Sequence, residues 1–162
     1  GGSLVLLFSK KKVKFSKKLT EILKKENTKN INSLKSWKKF AFRVEEHKNR
    51  LIKTLKSYSG GQKVIIYGAS ARGSTMLNFL NLDDSNLEYI IDINEMKQDL
   101  YSPGPNVIIK NPKILKENKT KKIILLLAWN FLSEIRKYLY KNNIKCSLIV
   151  PFPKKIKIYE IH

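Results

Sequence analysis

Short apolar runs alternate with helix-like segments over the last hundred residues of the chain. The predicted strands are residues 63–67, 88–92, 107–109, 122–128 and 145–150, and the predicted helices are 73–82, 112–117 and 131–142. Strands that are apolar on both faces are typical of a parallel sheet with helices on both sides. Because crossovers are right-handed, the α/β pattern predicts a Rossmann-like strand order of 3-2-1-4-5, and a further strand is predicted at 156–161.

The first 62 residues follow a different pattern, and we expect an N-terminal segment at 1–62 before a Rossmann-like domain at 63–162. A strand at Leu4–Phe8 precedes a short helix at 17–26, which Ser16 caps. A longer basic helix begins after Ser33 and ends at Ser59-Gly60-Gly61. Its apolar residues repeat at helical spacing, which favours packing in the core: Leu34, Trp37, Ala41, Val44, Leu51, Leu55 and Tyr58.

Composition limits the class of protein. A chain of 162 residues that is 42% hydrophobic can form one domain with a substantial core. It has no apolar run of the ~18 residues that a membrane span requires. The one cysteine, Cys146, excludes an internal disulfide and fits the reducing cytoplasm, where we expect the protein to be.

The net charge of +20 raises the question of nucleic-acid binding. Nearly all the cations are lysines, whereas arginine is preferred for bidentate contacts with phosphates and bases. The chain is also rich in asparagine and isoleucine, as AT-rich coding would give. We therefore expect only non-specific, salt-sensitive attraction to nucleic acid.

The most informative segment is the turn after the strand at 63–67. Backbone N–H groups at such a turn and at the start of the following helix can bind an anion. The candidate ligands of a phosphate here are Gly68, Ala69, Ser70, Arg72, Gly73 and Ser74. The alternative is a glycine turn that only joins a strand to a helix.

Two known phosphate-binding loops match this turn only in part. In the dinucleotide fingerprint G-x-G-x-x-G, Ser70 takes the middle position, where glycine lets pyrophosphate approach the backbone. In the Walker A loop, Ser74 takes the place of the lysine. ATP hydrolysis is therefore not expected.

Three more residues are predicted to lie at the same edge of the sheet. Trp129 and Asn130 follow the strand at 122–128, where they either stack on and hydrogen-bond a ring or seal the sheet edge. Asp92 ends the second strand and either bonds a ribose hydroxyl or caps the turn at 93–95.

The two histidines, His47 and His162, and the lone cysteine form no recognisable metal site or catalytic triad, and we assign neither a metal ligand nor a catalytic residue. His47 is expected on the surface of the basic helix.

The chain resembles the C-terminal domain of the SAM-dependent sugar C-methyltransferases, which act on nucleotide-linked keto-deoxysugars. The resemblance covers nearly the whole chain and is carried by an ordered set of segments: Tyr67–Gly73, Tyr89–Asp92, Lys97, Pro103-Gly104, Leu126–Phe131, Glu134-Ile135 and Ile149–Pro153. It implies a domain that binds a nucleotide-diphosphate sugar and is not catalytic alone. It also adds Lys97 and Glu134 to the candidate substrate-binding residues.

The resemblance further implies that no cofactor binds to this chain. SAM, structural zinc and the catalytic base would belong to an upstream or partner methyltransferase domain. One departure is Arg72, which stands where the family usually has lysine, so the charge is kept but its geometry is not. Two alternatives stay open, a stand-alone NAD(P)-binding or oxidoreductase-type domain and a basic nucleic-acid-binding module.

Overall fold

The structure, a computed structural model, describes residue 5, residues 7–153 and residues 155–162. The chain divides into two compact units, one up to Glu45 and one from Glu46 onward. The strand predicted at Leu4–Phe8 lies partly outside the described residues. The described members Val5, Leu7 and Phe8 are exposed and form no strand.

The elements follow the predicted order closely. The helices are α1 Lys17–Thr28, α2 Leu34–Ser59, α3 Ala71–Phe79 and α4 Leu132–Lys141. The strands are β1 Val64–Tyr67, β2 Leu87–Ile91, β3 Ile109–Lys110, β4 Lys122–Leu126, β5 Cys146–Val150 and β6 Lys157–Ile161. Three 3-10 helices lie at Glu95–Lys97, Pro112–Lys116 and Trp129–Phe131.

The six strands form one sheet in the order β3-β2-β1-β4-β5-β6. Strands β1 to β5 are parallel, and β6 pairs antiparallel with β5. The predicted order is confirmed, and the fold is a Rossmann-like α/β fold preceded by a helical segment. The helix predicted at 112–117 is a short 3-10 helix, which Asn111 caps through a 3.0 Å bond from the Lys113 N–H.

Helices α3 and α4 lie in crossovers that run in opposite directions from the centre of the sheet. Because both crossovers are expected to be right-handed, the two helices cover opposite faces. The strands between them, β1, β4 and β5, are buried along their whole length. Leu77 of α3 and Leu139 of α4 are buried in the same core.

The apolar stripe of α2 divides into a buried and an exposed part. Leu51 and Leu55 join the core around the sheet, as predicted. Leu34 and Trp37 are 71% and 56% exposed, so the prediction of core packing was wrong for this half of the helix. Helical periodicity specifies an apolar face but not the element that covers it. Within the described ranges, no helix has the length and apolar character that a bilayer span needs.

Candidate functional site

A cleft of about 480 Å³ opens at the carboxyl ends of β1, β2 and β4. This is the point in the strand order where the chain reverses direction across the sheet, and open parallel sheets bind ligands there. Most of its lining is apolar or aromatic, and the lining includes Ile91, Ile93, Leu127, Phe131 and Ile135. A few polar side chains in an apolar cleft of this size are typical of a small-molecule site.

The N-terminus of α3 borders the cleft through Ser70 and Arg72. Ser70 caps the helix, because its hydroxyl accepts a 3.1 Å hydrogen bond from the Gly73 N–H. The predicted helix start at 73 was therefore two residues late. The Ala71 and Arg72 N–H groups precede the first intrahelical bonds, as at any helix start, and are available to an anion.

Ser74 and Gly73 lie inside α3 and do not line the cleft. The Ser74 N–H donates to the Ser70 carbonyl oxygen at 2.9 Å, as the first turn of a helix requires. Gly73 is buried, and a Cβ there would lie 3.2 Å from the Gly68 carbonyl oxygen and 3.3 Å from Leu127 Cδ1. Its lack of a side chain thus lets α3 pack closely on the turn and on the end of β4.

Gly68 holds the turns after β1 and β4 close together. Its φ is +113°, which L side chains rarely adopt, and a Cβ would come within 2.8 Å of the Ala128 Cβ. The Ala128 N–H in turn donates to the Tyr67 carbonyl oxygen at 3.1 Å. The floor of the cleft is therefore fixed by backbone contacts between neighbouring strand ends.

Asp92 joins the end of β2 to the turn after β1. Its Oδ2 atom accepts a 2.9 Å hydrogen bond from the Ala69 N–H, and its Oδ1 atom accepts a 2.9 Å bond from the Asn94 N–H. Of the two roles predicted for Asp92, the cap of the turn at 93–95 is present in the structure. The carboxylate also lines the cleft, where its remaining lone pairs are available as hydrogen-bond acceptors.

Lys97 supports this junction from outside the cleft. Its Nζ atom donates a 2.7 Å hydrogen bond to the Ala69 carbonyl oxygen and lies 3.7 Å from Asp92 Oδ2. Both polar backbone groups of Ala69 are therefore bound by side chains that follow β2. Ala69 and Lys97 shape the turn, and neither lines the cleft.

Arg72, Trp129 and Asn130 do meet in one cleft, although they come from turns that are far apart in sequence. The guanidinium carbon of Arg72 lies 5.7 Å from the centre of the Trp129 ring, within the range of a cation–π contact. Arg72 and Asn130 are exposed, and Trp129 is half-buried. A cation and an aromatic face thus stand side by side at the cleft entrance.

Glu134 lies in the first turn of α4 and also lines the cleft. A 2.7 Å hydrogen bond from the Ser133 hydroxyl lowers the pKa of this exposed carboxyl group. It is therefore ionised at neutral pH and accepts hydrogen bonds from hydroxyl groups. Among the described residues, His, Cys, Asp and Glu side chains form no group of three that could hold a metal ion.

Two tyrosines of the cleft were missed by the sequence reasoning. Burial is the main cause that raises the pKa of Tyr67 to about 12, with smaller contributions from Tyr138 and Asp92. Burial also raises the pKa of Tyr138. Tyr67 was part of a buried strand in the sequence pattern, and Tyr138 stood on an amphipathic helix. Neither pattern shows that a strand end and a helix face contribute to the same cleft.

His47 differs from its predicted place on the surface. It is half-buried, and its ring stacks on Phe152, with ring centres 4.9 Å apart and an interplanar angle of 24°. Phe152 in turn packs against Trp129 at 5.1 Å. The aromatic side of the cleft therefore continues behind Trp129 to the second half of α2.

The family described as "C-methyltransferase C-terminal domain" matches residues 1–153. The chain belongs to this family. The match extends over both the N-terminal helical segment and the turns that form the cleft.

Among curated proteins, the chain is 25% identical over 142 residues to C-methyltransferase NovU of Streptomyces niveus. The aligned region is 85% of this chain but 34% of NovU, so the chain spans about a third of the length of this relative. Among solved structures, RSP, a Rex-family repressor, matches 86% of this chain and 77% of its own. The TM-score is 0.40 at 23% identity, which is too low for any functional inference.

Proposed function

We propose that this family member binds a nucleotide-diphosphate sugar in the cleft at the carboxyl ends of β1, β2 and β4. In this proposal it is the substrate-binding part of a C-methyltransferase that acts on a keto-deoxysugar. SAM binding and methyl transfer take place on an upstream or partner domain. The family match and the similarity to C-methyltransferase NovU support the reaction class.

The observation that carries the proposal is the position of Arg72. Its guanidinium group stands beside both the start of α3 and the ring of Trp129. Arginine matches phosphate oxygens in a bidentate geometry, and the N–H groups of a helix start add further donors. A diphosphate bound there places an attached ring against Trp129 and within reach of Asn130.

The remaining polar groups of the cleft fit a sugar. Tyr67 is protonated at neutral pH, and burial raises its pKa still further, to about 12, so its hydroxyl is available to donate a hydrogen bond. The Glu134 carboxylate is ionised and is available to accept a hydrogen bond. Sugar hydroxyl and keto groups need both kinds of partner. We therefore assign binding and orientation to this chain and proton abstraction to the methyltransferase domain.

The alternative ligand is a nicotinamide dinucleotide, which the strand order also accommodates. Ser70 counts against it. Its side chain caps α3 at the position where the dinucleotide fingerprint has glycine for close approach of the pyrophosphate. A sugar nucleotide whose phosphates contact the Arg72 side chain and the first N–H groups of α3 does not need a glycine at position 70.

Calorimetric titration of the 162-residue chain tests the proposal. The ligands are TDP, UDP and GDP, a TDP-linked keto-deoxysugar, NAD and SAM, each at physiological salt. We expect the sugar nucleotide to bind most tightly and the matching nucleoside diphosphate next. Tightest binding of NAD would favour the oxidoreductase-type alternative. Absence of binding by any diphosphate would refute the assignment of the cleft.

A further inference from the structure

A second cavity of about 520 Å³ lies between the second half of α2 and the segment that joins β5 to β6. Of the described residues, three cations line it, Arg50 and Lys53 from α2 and Lys155 from the joining segment. His47, Thr54 and Ser57 complete its polar lining. The cavity is as large as the cleft but has a different chemical character.

The charge of this cavity is of one sign. Among the residues that the structure describes, its lining contains no carboxylate, and the three ion pairs found there involve Lys97, Lys110 and Lys121 instead. Like charges held around a concave surface repel one another. A bound polyanion is attracted to each of them and offsets this repulsion. An isolated surface lysine attracts an anion more weakly, because it contributes a single charge.

The hydrogen-bonding groups of the cavity also favour an anion. The Thr54 hydroxyl donates to the Arg50 carbonyl oxygen at 2.8 Å, and the Ser57 hydroxyl donates to the Thr54 carbonyl oxygen at 3.0 Å. These two protons are therefore engaged within the helix. The donors that remain for a ligand belong to the cationic side chains, and the Nε2 atom of the neighbouring His47 is buried without a protein partner.

We propose that this cavity is a second anion-binding site that takes an oligophosphate group. Its source is either free pyrophosphate or triphosphate, or the phosphate chain of a nucleotide. Three cations from two elements match the charge of several phosphates in a row better than that of a single phosphate. The inference does not depend on the ligand of the cleft.

The stack of His47, Phe152 and Trp129 connects the two cavities. His47 lines the second cavity, and Trp129 lines the cleft. A ligand that moves the His47 ring changes the packing of Phe152 on Trp129. Because the chain has two tryptophans, a Trp37→Phe variant leaves Trp129 as the only indole reporter.

The test compares two variants of equal charge. Arg50→Gln/Lys155→Gln removes two cations of the cavity, and Lys116→Gln/Lys141→Gln removes two exposed lysines outside it. Calorimetry with inorganic triphosphate, pyrophosphate and ATP at physiological salt measures binding. We expect the first variant to lose about tenfold or more in affinity for triphosphate and the second to change by less than about twofold.

Several outcomes would overturn the inference. One is an equal loss in both variants, which would show attraction to the overall charge only. Another is no binding of triphosphate or ATP to the parent chain. Melting curves of both variants verify folding, and Lys53→Gln alone provides a milder replacement if the double variant unfolds. Tighter binding of ATP than of triphosphate would identify a nucleotide as the source, and equal binding would identify the phosphate chain alone.

The cleft and the second cavity are distinguished by Arg72→Ala. We expect this change to weaken the binding of a sugar nucleotide and to leave the Arg50-dependent triphosphate site intact. In the Trp37→Phe background, triphosphate should also change the emission of Trp129. Loss of both binding events through Arg72→Ala would show that triphosphate occupies the cleft, and the second site would then be rejected.

Discussion

The Ala69 N–H donates a 2.9 Å hydrogen bond to Asp92 Oδ2, and this bond joins the ends of β1 and β2. This bond has a consequence for the turn that we propose to bind an anion. The Ala69 N–H is directed to a carboxylate of the protein, so the donors left for a phosphate are those at the start of α3 and the side chain of Arg72. Asp92 thus fixes the shape of the turn, and Arg72 supplies the positive charge beside it.

Replacing Asp92 should therefore destabilise the fold. Asp92→Ala removes the acceptor of both the Ala69 and the Asn94 N–H groups, and we expect a loss of about 1–3 kcal/mol in the free energy of unfolding. Urea titration measures it. Asp84→Ala, at an exposed carboxylate on the turn before β2, is the control and should cost less than about 0.5 kcal/mol. Equal free energies of unfolding for Asp92→Ala and Asp84→Ala would contradict the role assigned to Asp92.

Arg72 and Asn130 should contribute differently to ligand binding. Arg72→Ala removes a charge-assisted bond worth roughly 1.5–3 kcal/mol, and Asn130→Ala removes a neutral bond worth roughly 0.5–1.5 kcal/mol. Calorimetry with a sugar nucleotide should show the larger loss for Arg72→Ala, and this loss should shrink at high salt. Both side chains are exposed, so the melting temperature should change little. Intact affinity together with a less stable fold in Arg72→Ala would show that this side chain is structural.

Gly68 should tolerate no side chain. Gly68→Ala combines an unfavourable φ with contacts of 2.8 Å and 2.9 Å to Ala128, and we expect a loss of about 2–4 kcal/mol in the free energy of unfolding. Gly61→Ala is a matched control because Gly61 has a φ of +93° but nothing within 4 Å of the added Cβ. The difference between the two variants isolates the steric part. If both lose the same stability, the close approach of the two turns is not important.

Cys146 should be inert in the folded chain. The side chain is fully buried, and burial is the main reason that its pKa is raised to about 12. Because the thiolate is the nucleophile, a chromogenic thiol reagent at pH 8 should react roughly a hundredfold more slowly with the folded chain than with the chain in urea. Rapid labelling without denaturant would show that β5 opens readily.

Alkaline pH should destabilise the fold through two tyrosines. Burial is the main cause that raises the pKa of both Tyr67 and Tyr89 to about 12, against 10.0 in the unfolded chain. Between these values the unfolded state has lost protons that the folded state still binds, so stability falls as the pH rises from 10 to 12. The loss is of the order of 1–2 kcal/mol per tyrosine.

The variant Tyr67→Phe/Tyr89→Phe isolates this contribution. Unfolding in urea is measured for the parent and the variant at pH 7 and at several values between pH 10 and 12. The lysines titrate in both proteins, so the difference between the two curves reports the tyrosines. The variant should lose less stability over this range. Parallel curves would refute the assignment.

The sequence alone determined the strands and their order. The apolar segments at β1, β4 and β5 are nearly continuous because these strands are buried along their whole length in a parallel sheet, and β2 departs from this pattern only at the exposed Glu88. Right-handed crossovers then leave few possible orders, and the predicted one is the observed one. The cleft position follows from that order. This is why Arg72, Trp129 and Asn130 could be assigned to one cleft before their geometry was known.

Tertiary structure decided which neighbouring residues face the cleft and which support it. Ser74 was a candidate ligand of a phosphate in the turn, but the Ser70 cap starts α3 early enough to include it. Lys97 looked like a ligand-binding cation, but it binds the Ala69 carbonyl oxygen. These outcomes depend on local competition for hydrogen bonds, which spacing along the chain does not reveal.

Contacts between distant segments could not be read from the sequence at all. Tyr67 and Tyr138 share the cleft, and His47 stacks on Phe152, although at least seventy residues lie between the members of each pair. Sequence periodicity specifies which face of an element is apolar, but only the packing of the elements decides what that face meets. The same reason explains why one apolar stripe along α2 is exposed at the start of the helix and buried towards its end. Periodicity defines the stripe, but only packing decides which part of it is covered.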